Sequence, residues 1–156
     1  PLDPFHRKGL KELIYILKKE GFWLNIEAAG TEAPHDVFDL LDFISIDLKT
    51  PSTGVPGNTE VLKEMALQYG NRFQVKSVIE NDADFDYVIK VRDLLEKEVG
   101  TINFPWVLTP SFNTGENFPK ERVEKIIDRN QSLKERSFRV IVQQHKWLYG
   151  SDKKLI

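Results

Sequence analysis

Strand-like runs alternate with helix-like segments along this chain, and the polar residues of each strand keep to one parity. Few folds accommodate both patterns. The runs are 22–28 (FWLNIEA), 42–48 (DFISIDL), 72–79 (RFQVKSVI), 104–109 (FPWVLT) and 138–143 (FRVIVQ). They are short, rich in β-branched and aromatic residues, and bounded by turn formers. Leu10, Leu13, Ile14 and Leu17 recur at helical spacing, so 5–19 reads as an amphipathic helix ending before Gly21. Further helices are predicted near 58–69, 83–98 and 119–129, that at 83–98 with Phe85, Val88, Ile89, Leu95 and Val99 inward. Asn58 and Asn81 stand where N-caps belong. Helices between strands imply right-handed crossovers and a parallel sheet, hence an α/β fold.

A parallel strand buried on both faces should be almost wholly apolar. These are not. Ile44, Ile46 and Leu48 share one face of the second run, and Ser45, Asp47 and Lys49 share the other. Asn25 and Glu27 share a face of the first run, Gln74 and Lys76 of the third, and Arg139, Gln143 and His145 of the last. Buried polar groups without partners cost a few kcal/mol each, so a polar inner face calls for a ligand. The expected architecture is a partial, incomplete β/α TIM-like barrel with a parallel sheet, residues 1–156 forming one domain. Its polar residues gather towards the C-terminal strand ends, where barrel active sites lie.

Composition excludes several classes. The 156 residues carry a formal charge of −2, with 40% hydrophobic and 29% charged residues, as in ordinary globular domains. Nothing in that balance points to nucleic acid or to an anionic membrane. There is no cysteine, so the chain supplies neither a disulfide nor a thiolate ligand. No apolar run approaches the ~20 residues of a membrane span, and the N-terminal residues do not form a signal peptide. The scattered histidines have no metal-ligand spacing, and neither a GxGxxG, a P-loop nor a Gly-x-Ser-x-Gly is present. No strand precedes the first helix, so the chain is expected to be the C-terminal portion of a larger barrel.

Each candidate motif has a plainer reading. Asp47-x-Lys49 sets a carboxylate and an ammonium roughly 7 Å apart on one strand face. The pair either holds a ligand bearing complementary groups or closes the barrel mouth as a structural ion pair. Gln143-x-His145 can read a heterocycle edge by directional hydrogen bonds, or it is a solvated strand end. Glu27-Ala28-Ala29-Gly30-Thr31 either admits a ligand close to the backbone or is a βα turn. Pro51-Ser52-Thr53-Gly54 could likewise be only a turn. His6 and His35 read as surface residues, Trp23, Trp106 and Trp147 as packing residues, and 119–129 as a solvated helix.

Taken in order, GFWLNIEAAGT, DFISIDLKTPSTG, FQVKSVI with NDADFDYV, WVLTPSF and FRVIVQQHKWLYG resemble the radical S-adenosylmethionine (SAM) superfamily. Within it they resemble the 7-carboxy-7-deazaguanine synthase family. Pro1-Leu2 resembles the end of that family's Gly-Gly-Glu-Pro strand. The chain departs from the family at Ala28 and Ala29, where Thr and Asn or Ser are usual. It departs again at Asp47-Leu48-Lys49, usually Ser-Pro-Lys, and at Thr109, usually Gln. The resemblance implies a lyase that converts 6-carboxy-5,6,7,8-tetrahydropterin to the deazaguanine core of queuosine and archaeosine in tRNA. Its cofactors would be SAM, a four-iron–four-sulfur (4Fe-4S) cluster held by a CxxxCxxC-type loop, and magnesium.

By the same resemblance Ser45, Asp47, Lys49 and Glu27 would face SAM. Thr31, Lys76, Gln143 and His145 would line the pterin side. No catalytic residue and no metal ligand falls within this chain, which by itself should be inactive. The implied setting is the cytoplasm and the implied assembly a homodimer, with no nucleic acid or membrane partner. A radical SAM activase, suggested by the Asp-x-Lys form, is the alternative within the superfamily. A non-catalytic α/β ligand-binding module is the alternative outside it.

Overall fold

The computed structural model describes residues 4–134 and 138–151, with side chains from Arg7 onward. The expectations for Pro1-Leu2 and for the His6 side chain therefore lie outside the described residues. The elements run α1 (Pro4–Lys19), β1 (Asn25–Ala28), α2 (His35–Phe38), β2 (Phe43–Asp47), α3 (Thr59–Tyr69), β3 (Phe73–Ile79), α4 (Asp82–Val99), β4 (Trp106–Pro110), α5 (Lys120–Gln131), β5 (Arg139–Val140) and α6 (Gln144–Tyr149). A 3-10 turn, Pro51–Thr53, follows β2.

The strands form one all-parallel sheet in sequential order, β1-β2-β3-β4-β5. Sequential order with crossovers of one hand places every connecting helix on the same face. Burial follows this arrangement. Ile44, Ile46, Phe73, Val75, Ile79 and Leu108 are buried on the helix side, against Val61, Leu62 and Met65 of α3 and Phe85, Val88, Val91 and Leu95 of α4. The opposite parity of β3, made of Gln74, Lys76 and Val78, is only half-buried. The sheet does not close, and β1 and β5 are its edges.

The caps behave as the sequence requires. The Asn58 side chain accepts a hydrogen bond from Val61 N at 3.3 Å, and Asn81 accepts one from Asp84 N at 3.2 Å. Each satisfies one of the unpaired donors of a helix start.

Several expectations need correction. The fifth strand does not reach residue 143. Ile141 N donates to Leu108 O at 3.0 Å, and the next bond outward would need a donor from Pro110, which has no N–H. The ladder stops there, and the chain turns into α6, whose first turn closes when Lys146 N donates to Gln143 O at 3.1 Å. Gln143 and His145 therefore do not share a strand face. Leu13 is 51% exposed rather than buried, because α1 lies beside α2 and only the Ile14 side of its stripe is covered. Trp106 packs in the core, but Trp23 is 66% exposed and Trp147 is exposed as well. Trp23 stacks on Phe43 at 6.1 Å between ring centroids.

His35 is half-buried and bonded, not a plain surface residue. It opens α2, its Nδ1 lies 2.7 Å from the Tyr69 hydroxyl, and its Nε2 meets Glu64. Tyr69 in turn donates to Asp39 at 3.0 Å. Burial, aided by Asp39, raises the Tyr69 phenol pKa well above its ordinary value. No helix of the described residues is long and apolar enough to cross a membrane.

Candidate functional site

The parallel register turns the strand parities into rows across the face opposite the helices. Glu27 pairs with Ser45, Ser45 with Gln74, Asp47 with Lys76, Lys76 with Val107, and Val107 with Arg139. Row and diagonal neighbours then meet. Lys76 Nζ donates to Glu27 Oε2 at 3.2 Å and lies 3.5 Å from Asp47 Oδ1. Lys49 Nζ donates to Asp47 Oδ2 at 2.9 Å. Two carboxylates and two ammonium groups thus alternate in sign from Glu27 to Lys49, without net charge. Burial works against the Lys76 ammonium, but the charges and hydrogen bonds of Asp47 and Glu27 outweigh it and raise its pKa above the ordinary lysine value. Lys76 is a cation at neutral pH, suited to binding anions and not to attack as a free amine.

Glu27, Asp47 and Lys76 form one wall of a cleft of about 710 Å³, lined also by Val78, Thr109 and residues 141–145. Of the sequence-predicted site residues, Glu27, Asp47, Lys76, Gln143 and His145 all line it. Gln143 and His145 arrive from the N-cap and first turn of α6 rather than from a strand. Lys49 does not line the cleft but pairs with Asp47, which does. Ser45 is buried and accepts a hydrogen bond from Gln74 Nε2 at 3.0 Å, so its hydroxyl is engaged within the sheet. Thr31 is exposed and does not line the cleft, and its carbonyl accepts from Asn58 Nδ2 at 3.2 Å.

The glycine of the first turn serves the chain's own backbone. Gly30 has φ +71, and a Cβ there would stand 2.1 Å from the Asp47 carbonyl oxygen. The close approach allowed by the small residue is that of β1's exit to β2, directly behind Asp47.

Two contributors escaped the sequence reading. Thr109 lines the cleft, and its register with Val78 puts it on the polar parity. That parity was legible in WVLTP, but the run reads as apolar throughout. Asp84 is wholly buried and receives Ser52 N at 3.0 Å and Glu80 N at 2.9 Å. With Thr50 Oγ1 donating to Val78 O at 2.8 Å, it clasps the loop after Lys49 to the start of α4. The Asp-rich helix start NDAD was visible in the sequence, but its bonding partner lies 32 residues earlier in the chain.

Chemically, the cleft offers alternating charges on one side and an amide, an imidazole and a hydroxyl on the other. It can hold a small molecule with charged and hydrogen-bonding groups. Among the described residues no three His, Asp or Glu side chains converge as metal ligands. The absence of cysteine means that these residues cannot hold an iron–sulfur cluster. No protein-family model, no curated protein and no solved structure matches the chain.

Proposed function

We propose that this chain forms the SAM- and substrate-facing wall of a radical SAM enzyme resembling the 7-carboxy-7-deazaguanine synthase family, as part of a partial β/α barrel. One observation carries the reading. Glu27, Asp47 and Lys76 of three neighbouring strands, with Lys49 just past β2, make a continuous charged ladder at the C-terminal strand ends, and the first three line one cleft with Gln143 and His145. Parallel sheets bind ligands at that end, and Asp47, Lys49 and Lys76 are held part-buried there although ion pairs of this kind add little stability. Asp47 and Glu27 would hold the cationic groups of SAM, with Lys49 and Ser45 fixing Asp47 and Gln74. Lys76, Gln143 and His145 would take the carboxylate and amide edge of a tetrahydropterin. The cluster and any magnesium would need ligands from outside these 156 residues. Without them the chain binds but does not turn over.

Titration of the isotope-labelled chain with SAM, and separately with 6-carboxy-5,6,7,8-tetrahydropterin, tests this by amide shifts. SAM should perturb Glu27, Asp47 and Lys49, and the pterin should perturb Lys76, Gln143 and His145. Asp47→Ala should lower SAM affinity roughly ten- to a hundred-fold, the worth of one charged hydrogen bond. If neither ligand moves these amides, the reading fails.

The second reading is a non-catalytic α/β ligand-binding module, favoured by the lack of thiols. The coding sequence upstream of Pro1 separates the two. A CxxxCxxC-type loop there supports the enzyme, and a reading frame without one supports the module.

A further inference from the structure

We propose that α6 is a two-position rocker between adjacent clefts, and that seating Trp147 on one side withdraws His145 from the other. The cleft of the charged ladder has a neighbour of about 840 Å³, lined by Phe118, Val140, Ile141, Val142, Gln144 and Trp147. The two share Ile141, Val142 and Gln144, so the segment leading into α6 is their common wall. The neighbour is apolar but for the Gln144 amide. Water gains little in such a space, and a large apolar side chain fills it better.

Trp147 stands at its edge, yet it is 62% exposed. Residues two positions apart on a helix are separated by about 200° at 3.6 residues per turn, so Trp147 and His145 project from nearly opposite sides of α6. That matches their places on opposite clefts. A rotation that drives Trp147 inwards must therefore lift His145 away from Glu27, Asp47 and Lys76.

The helix is weakly held, although Lys146 Nζ lies 5.9 Å from the Phe112 ring centroid. It has six residues and buries no side chain, and its N-cap Gln143 makes no side-chain cap bond. Helices below ~12–15 residues do not hold themselves in water, and elements with little buried area open first. Its ends supply the hinges. The ladder stops after Ile141, and Gly150 ends the helix at φ +91. Beyond Gly150 the chain is tied down where Gly115 N donates to Ser151 Oγ at 3.0 Å. The conformation seen here has His145 in and Trp147 out. A ligand touching His145 selects it, and a filled apolar cleft selects the other.

Fluorine NMR of the fluorotryptophan-labelled full chain tests the device without any ligand. Trp147→Phe assigns its resonance, and the buried Trp106 reports core integrity. The Trp147 signal should show exchange, as splitting, relaxation dispersion or an averaged shift between exposed and buried values. Phe118→Asp, at a 39% exposed position, should collapse it to the exposed value while leaving Trp106 unmoved. His145→Ala, on the opposite side of α6, should move it towards the buried value. The proposal is overturned if Trp147 already sits at the exposed value and neither substitution moves it. It is equally overturned if the α6 amides are as protected from hydrogen exchange as those of β4.

Discussion

Gly30→Ala is the sharpest test of how the chain positions Asp47. Two costs act at this residue. The backbone is left-handed, φ +71, which costs an L-residue roughly 1–2 kcal/mol. The new methyl would also stand 2.1 Å from the Asp47 carbonyl oxygen and 3.0 Å from Ile46 Cγ2, so β1's exit must move off β2. Overpacking of this kind typically costs about 1–3 kcal/mol. The expected total is about 2–5 kcal/mol, against about 1–2 kcal/mol for Gly54→Ala. Gly54 is also left-handed, at φ +68, but nothing lies within 4 Å of its Cβ position. The pair therefore separates the conformational term from the contact term. Urea unfolding, read as the midpoint with the slope unchanged, gives both differences. For a chain of this size each kcal/mol moves Tm by roughly 2–4 °C. Amide shifts of Asp47 and Lys76 should change in Gly30→Ala and stay in place in Gly54→Ala. Equal losses of stability in the two variants would refute the argument, because the close approach would then carry no energy.

Two further outcomes follow from the same geometry. Asp84→Ala removes a buried carboxylate that receives two backbone N–H groups. It should cost about 3 kcal/mol and raise hydrogen exchange in residues 50–54, and an unchanged unfolding midpoint would show that the loop is held otherwise. Asp42 bonds Lys18 and receives Leu24 N at 2.7 Å, and these interactions hold its pKa below the ordinary 3.8. A depressed carboxylate stabilises the fold above its unfolded pKa, and that contribution fades as pH falls below 3.8 through the folded value. The gap between unfolding midpoints at neutral pH and below 3.8 should therefore narrow in Asp42→Asn. An unchanged gap removes Asp42 from the acid response.

Much of the fold was present in the chain's periodicities. The helix-side residues Ile44, Ile46, Val75 and Ile79 and the polar residues Asp47, Gln74 and Lys76 occupy the faces that period-two alternation assigns them. The Asn58 and Asn81 caps were legible because a cap is a local bond, closed within three residues. Register was not local. Whether Lys76 meets Glu27, 49 residues away, depends on how three strands slide against one another, and the alternation is the same for every even slip. The end of β5 depended on Pro110 in the neighbouring strand, so FRVIVQQH, read by itself, continued as a strand through Gln143. His35 looked like a loop residue until the fold brought Tyr69 and Glu64 to it from α3. The sequence by itself determined which residues face the helices and which face away, because side-chain direction follows from backbone period alone. Only the tertiary structure decided which charges become neighbours and where α6 begins, because both depend on hydrogen bonds between segments far apart in the chain.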